Sequence, residues 1–325
     1  MKGLITSSDN ASMKTEMAHA SHLPTIGCVI PTYKAKHHLP NCLAPLIDSP
    51  LRPRILVVDS SSNDGTVELA RALGAETLVI PSAEFNHGAT REMARQALST
   101  DIICMLTQDA YLSDKNALSY LVAPLIKNQA KISYARQIPH KGASFFEAFP
   151  RHYNYPSISQ LRGIGDQHEY GVYTFFCSNS CAAYLNTALD EIGGFDEVLL
   201  GEDTVAAAKL LRKGHKIAYS ADAIVHHSHN YTLCEEFRRS FDTGLARKGY
   251  VSLIACESGD IKRGAGYVRA MMVQLVKTAP WLLPYAILHV LSKWTGYQIG
   301  TKSTKAPIWF KKALSSQKFY WNSFL

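Results

Sequence analysis

From Ile26 onward the chain alternates short apolar runs with longer, mixed stretches. The runs IGCVIP (26–31), RILVVD (54–59), TLVIP (77–81), DIICML (101–106) and KISYAR (131–136) are rich in Val and Ile. Apolar runs this short, with helices between them, mark a buried and mostly parallel sheet. DGTVELARALG (64–74) and GATREMARQAL (88–98) are two such helix-length segments. Asn63 or Asp64 is placed to cap the first, and Gly74 to end it. The pattern predicts an α/β body in which helices flank a mostly parallel central sheet.

The alternation then changes. Residues 139–172 are rich in aromatics, His, Pro and Gly and read as a long excursion, a kind of segment that usually carries function. After it come an apolar run (172–177), a helix-like stretch over 181–190, a helix from Glu202 to Arg212 and a strand over 216–225. The body therefore closes near residue 235. Residues 271–300 are apolar and aromatic, but Lys277, Pro280 and Pro284 interrupt them. A spanning helix needs about 20 apolar residues in a row. Lysines beside Trp281, Tyr285, Trp294 and Tyr297 instead fit a segment lying in a bilayer interface. A helical pair packed on the body, or a homodimer contact, accounts for the same pattern. Three parts result: a loose polar tail (1–25), the α/β body (26–235) and a basic, aromatic helical region (236–325).

Composition narrows the partners. Of 325 residues 46% are apolar and 19% charged, which excludes a mostly disordered chain. The formal net charge is +7, and residues 256–325 hold ten Lys/Arg against two Asp/Glu. A basic end on a nearly neutral body points to one anionic surface, here the inner face of the cell membrane, with the protein peripheral to it in the cytoplasm. The seven cysteines are scattered, and only Cys177 and Cys181 lie close. That usage indicates a reducing compartment and neither a disulfide framework nor a zinc site. The first 22 residues lack the continuous apolar core of a secretory signal. The positive charge is interleaved with aromatics and no nucleic-acid-binding motif occurs, so nucleic acid is not an expected partner.

In an open parallel sheet, ligands bind at the carboxyl ends of the strands. Those ends here are Pro31-Thr32-Tyr33, Asp59 to Thr66, Phe85 to Arg91 and Thr107 to Ala110, each polar and each followed by a helix. No G-x-G-x-x-G follows the first strand and no P-loop occurs. An oxidoreductase using Asp59 to hold a ribose is thereby disfavoured.

In this order, PTYKA, VVDSSSNDGT, FNHGATR, LTQDA, GGFDE, GED and the HHSH after the last strand resemble family 2 glycosyltransferases with the GT-A fold, over roughly residues 26–230. Within that family, FNHG-TR with TQDA is most similar to bacterial rhamnosyltransferases of surface-polysaccharide (O-antigen-like) assembly. The resemblance implies an inverting transfer of L-rhamnose from dTDP-L-rhamnose to a lipid-linked saccharide. A UDP-hexose donor, or a catalytically degenerate assembly partner on the membrane, are the alternatives.

The residue chemistry can be set beside that expectation. Asp59 ends an apolar strand, where a carboxylate can accept the imide N–H of thymine or uracil; a turn Asp is the competing reading. Pro31 and Tyr33, with Thr32 between them, can wall the base. Arg91 opens a helix and can pair with phosphate, and His87 and Gln108 fall in the same donor-binding set. Asp109 is the candidate metal ligand. The family's usual D-x-D has lost its first aspartate to Thr107, so Mg²⁺ or Mn²⁺ would lean on phosphates, water and His227. His227 and His229 are two apart and share one side of an extended chain. An inverting displacement needs one base for the acceptor hydroxyl. The resemblance puts it at Asp203, with Glu202 orienting a neighbour; the competing reading is that both merely charge a helix start. Ser178 and Asn179 line the acceptor side or form a turn. Phe145, Phe146, Phe149, Tyr153 and Tyr155 either close over the sugar or pack in the core.

Overall fold

The computed structural model of the protein describes residues 23–255 and 261–324; most of the expected N-terminal tail, and Cys256, lie outside them. Nine strands among the described residues form one sheet. They are β1 (Ile26–Thr32), β2 (Arg54–Asp59), β3 (Glu76–Val79), β4 (Ile102–Leu106), β5 (Tyr111–Leu112), β6 (Ile132–Ile138), β7 (Gln160–Arg162), β8 (Cys181–Leu185) and β9 (Ile217–His226). Their order is β3-β2-β1-β4-β8-β6-β9-β5, with β7 paired to β9. The β3-β2-β1-β4 half and the β6-β9 pair are parallel, whereas β8 runs antiparallel to both β4 and β6. β1 pairs with β2 on one side and β4 on the other, so the chain reverses its progression there. That switch opens a crevice at the strands' carboxyl ends.

β8 corrects the helix expected from residue 181. Cys-Ala-Ala-Tyr favours a helix by local propensity, yet all four side chains are buried at the sheet centre. Small residues between two neighbouring strands satisfy the packing there, and tertiary context overrides propensity. The helix begins only at Asn186. Within the apolar run at 172–177 the chain forms a 3₁₀ turn over Gly171–Phe175. The expected cap of the first helix also moves: Gly65 takes that position at φ +85°, and Asp64 accepts the Thr66 amide and hydroxyl.

Helices cover both faces: α1 (Leu39–Ile47), α2 (Thr66–Ala72), α3 (His87–Leu98), α4 (Ala117–Ile126), α5 (Phe145–Asn154), α6 (Asn186–Glu191) and α7 (Glu202–Arg212). One core lies on the β1–α1–α4 side and a second on the α3–α7 side. The aromatic excursion holds α5, where the Ser144 amide donates to Glu147 at 2.8 Å and starts the helix. Phe145, Phe146 and Phe149 pack with Met271, Leu275 and Ala286 in a third apolar cluster, whereas Tyr153 and Tyr155 line the main cleft.

The C-terminal region comprises α8 (Leu233–Gly249), α9 (Ile261–Thr278), α10 (Leu283–Lys302) and α11 (Ile308–Leu314). Phe241, Leu245 and Tyr250 of this region enter the α3–α7 core. Helices α8 and α10 cross at backbone contact. A Cβ on Gly296 would collide with the Phe237 carbonyl, and one on Gly300 with that of Phe241. The outer face of α10 is apolar and exposed: Ile287, Leu288, Leu291 and Trp294 lie in helical register, with Trp281 just before them. No helix among the described residues is long and apolar enough to cross a membrane.

Candidate active site

The ends of β1 and β2 form a compact polar group. Asp59 is fully buried, and its carboxylate accepts from the Thr32 hydroxyl (3.0 Å), the Ser62 hydroxyl (2.8 Å) and the Ser62 amide (2.7 Å). The Tyr33 amide donates to Gln108 Oε1 at 2.8 Å, and Gln108 Nε2 returns a bond to the Tyr33 carbonyl. Tyr33 itself is exposed. Gln108 thus ties the β1 end to the loop after β4, where Thr107 and Asp109 line the main cleft.

That cleft, of about 950 Å³, lies at the carboxyl ends of the strands. At one end Asp109 meets two imidazoles: His227 Nε2 stands 3.6 Å from Oδ1, and His229 Nδ1 3.4 Å from Oδ2. The three ligand atoms lie within 4.8 Å of one another. Burial pulls both histidines down, His229 to about 4, so both are neutral near pH 7 as a metal requires. His227 Nδ1 lies 3.0 Å from Gln137 Oε1, which fixes the ring with Nε2 facing Asp109. One carboxylate and two oriented imidazoles fit a divalent transition metal better than an all-oxygen ion.

At the other end a buried network surrounds Asp203. Glu202 and Asp203 open α7 behind Gly201, whose φ of +88° turns the chain. A Cβ on Gly201 would strike the Tyr250 hydroxyl. Arg91 NH1 donates to Glu202 Oε1 at 2.7 Å, with both side chains almost fully buried. Arg91, expected on phosphate, is therefore engaged by a carboxylate. Asn179 bridges the acidic pair: its Nδ2 donates to Glu202 (3.0 Å) and its backbone N–H to Asp203 Oδ2 (3.1 Å), while Tyr184 donates to its Oδ1 (2.7 Å). Burial opposes the charge on Glu202, but Arg91, His87 and the hydrogen bonds from Asn179 and the backbone together outweigh it and hold the carboxyl below its ordinary range. Asp203 has no such partner. Burial, then the neighbouring charge of Glu202, pushes it up to about 7. Two adjacent carboxyls with pKa values driven apart is the arrangement expected of a base and its support.

His87, held at about 4 mainly by burial, lies beside Arg91 at the start of α3. Asn86 caps that start, accepting from the Gly88 and Ala89 amides. The cleft thus gathers His87, Arg91, Asp109, Ser178, Asn179, Glu202, Asp203 and His227, whereas Pro31, Thr32, Tyr33, Asp59 and Gln108 lie outside its lining. Sequence reasoning missed Gln137, which follows no motif. It also missed Arg151, Arg239, Arg247 and Arg263, which line the cleft from α5, α8 and α9. The four-residue spacing of Arg239, Thr243 and Arg247 was the available signal.

Residues 28–193 match Glycosyl transferase family 2. The chain is 38% identical to the O-antigen chain rhamnosyltransferase RfbN of Salmonella typhimurium, over 92% of this chain and 96% of that one. It is 35% identical to the O-antigen chain rhamnosyltransferase WbaN of Salmonella anatum, over 83% and 86% respectively. Among solved structures, the mannosyltransferase PcManGT of Pyrobaculum calidifontis, in complex with GDP-Man and Mn²⁺, aligns with a TM-score of 0.59 at 14% identity, covering 88% of each chain. TarS of S. aureus with UDP-GlcNAc aligns at 0.50 and 14% identity, over 86% of this chain and 91% of that one.

Proposed function

The chain belongs to glycosyl transferase family 2, and from that premise we propose that it transfers L-rhamnose, with inversion, from dTDP-L-rhamnose to a hydroxyl of a lipid-linked saccharide during O-antigen-like polysaccharide synthesis. The glycosyltransferase activity follows from the family; the sugar is taken from the two Salmonella relatives. One observation carries the mechanism: a buried carboxylate with a pKa of about 7 shares a cleft with an Asp/His/His cluster.

In this reading Asp203 accepts the proton of the attacking hydroxyl as the new C–O bond forms and the bond to the diphosphate breaks. Glu202, held by Arg91 and Asn179, keeps its charge and raises the basicity of its neighbour. Arg151 and Arg239, which border His229, face the departing diphosphate. Asp109, His227 and His229 would hold Mn²⁺ or Mg²⁺, which supplies charge stabilisation to the leaving group when bound. Tyr33 and Gln108 receive the base, and buried Asp59, bonded to Thr32 and Ser62, shapes the loop beneath it.

The exposed face of α10 rests on an anionic inner-membrane surface. Residues 261–325 carry ten Lys/Arg and no Asp/Glu, and each lysine or arginine near such a surface contributes about 1 kcal/mol. A donor panel of dTDP-rhamnose, UDP-glucose, UDP-galactose and GDP-mannose, each with and without Mn²⁺ or Mg²⁺, tests the reading. Thermal stabilisation by a dTDP-sugar above the others supports it, and preference for a UDP- or GDP-sugar refutes the donor assignment.

A further inference from the structure

Beyond α11 the chain returns to the cleft. It runs against α8, where the buried carboxylate of Asp242 accepts from the Ser316 amide at 2.7 Å and from the Ser316 hydroxyl. The backbone N–H of Gln317 donates to the hydroxyl of fully buried Ser315 at 2.9 Å. Two residues on, Phe319 stands edge-on to Phe85 with ring centroids 5.3 Å apart, and Trp321 enters the α3–α7 core. Held on both sides, Gln317 lines the main cleft and its side chain hydrogen-bonds His87. Among the described residues, no other lining residue comes from beyond α10.

The ring of His87 sets which way that amide points. A guanidinium can only donate, and Arg91 NH1 lies 3.3 Å from His87 Nδ1. A neutral imidazole that accepts at Nδ1 carries its proton on Nε2, so its bond with Gln317 takes the amide carbonyl as acceptor. Gln317 Nε2 then lies 3.5 Å from Ser316 Oγ, which engages one N–H at most and leaves the other for a ligand. Its place along the cleft follows from the charges around His87. Glu202 and Arg91 act on that ring from the Asp203 end, and Arg239 from the opposite one. Arg239 stacks on Tyr231 at 4.6 Å, beside His229 of the Asp/His/His cluster. Gln317 therefore stands between the base and that cluster. With the diphosphate at one end and the acceptor hydroxyl at the other, the sugar in transit lies between them, and an uncharged N–H there suits a hydroxyl better than a phosphate.

We propose that Gln317 is a specificity-determining residue for the transferred sugar, donating its amide N–H to one of the sugar's ring hydroxyls. The clamp of Ser315 and Ser316 on α8 fixes this donor before the substrate arrives, so little ordering is left to binding. The inference deepens the sugar-transfer reading and rests on it.

The test is calorimetric titration of the full chain with dTDP-L-rhamnose and with dTDP, in the wild type, Gln317→Leu and Gln317→Glu. Gln317→Leu keeps much of the bulk and has no amide, whereas Gln317→Glu keeps an acceptor for His87 and lacks the N–H. Both are expected to bind dTDP-rhamnose about three- to tenfold more weakly, the usual effect of one hydrogen bond between uncharged groups, and to bind dTDP as the wild type does. With monodeoxy donors, removing one particular hydroxyl should cost the wild type the same factor and cost Gln317→Leu nothing further. Equal losses for dTDP and dTDP-rhamnose, wild-type affinity in Gln317→Glu, or additive losses at every hydroxyl make Gln317 a structural residue and overturn the proposal. If the wild type selects a UDP- or GDP-sugar, the donor assignment fails, and the same comparison of that sugar nucleotide with its bare nucleotide decides the role of Gln317. A wild type that binds a bare nucleotide as tightly as its sugar nucleotide overturns the Gln317 contact alone, and one that binds no nucleotide overturns the transfer reading with it.

Discussion

The guanidinium of Arg91 stands 2.7 Å from the carboxylate of Glu202, and neither side chain is more than 7% exposed. Removing one partner strands the other charge in a place water does not reach. Arg91→Ala is expected to cost about 3–5 kcal/mol of stability, read as a lowered denaturant midpoint. A shift within the range of ordinary surface substitutions would show that water reaches the pair.

Asp203→Asn keeps the shape of the site and removes the proposed proton acceptor. Transfer is expected to fall about 10²–10⁴-fold, while dTDP-sugar binding, followed by thermal shift, stays close to wild type. Turnover at the wild-type rate would reassign the base.

The pH profile carries a sign. Because burial and Glu202 hold Asp203 at about 7, the active ionised form is lost as pH falls, and kcat/KM should drop on the acid side with a midpoint near that value. Glu202→Gln removes the neighbouring negative charge, so the midpoint should move to lower pH. An upward move, or none, contradicts the coupling drawn here.

Asp109→Asn and His227→Ala each remove one of the three side chains proposed to hold the ion. Stimulation by added Mn²⁺ is expected to fall at least tenfold in each, with the fold intact by circular dichroism. Gln137→Ala should give a milder loss of the same kind, since it orients His227 without touching the ion. Activity indifferent to chelator in the wild type would remove the metal from the mechanism.

Replacing Trp281 and Trp294 together by Ser should reduce co-sedimentation with vesicles containing anionic phosphatidylglycerol several-fold. Binding by the wild type should weaken in high salt. Equal sedimentation with neutral vesicles would remove the charge from the attachment, and no sedimentation with either kind would overturn membrane binding by this face.

The first half of the fold was legible because β1, β2 and β4 are buried on both sides and leave unbroken apolar runs. β8 was not, since Cys-Ala-Ala-Tyr carries a helical propensity that only its place between β4 and β6 overrides. Pro45 and Pro124, inside α1 and α4, likewise mask helices whose apolar faces are otherwise clear. Of the cleft, the residues in motifs could be named from their order in the chain, and the structure gathers His87, Arg91, Asp109, Glu202, Asp203 and His227 there. The pairing of Arg91 with Glu202 could not be read, because 111 residues separate the partners. Nor could the arginines of α8 and α9, which reach the cleft only once the C-terminal helices fold back.

Where α8 and α10 cross, main chain lies on main chain, and no side chain intervenes to slide or re-pack. The inner wall and the outward apolar ridge are therefore two sides of one stiff plank. If the ridge seats in a membrane as proposed, the depth of that seating would fix the height of the cleft above it, with glycines at the crossing holding the two faces at a constant distance.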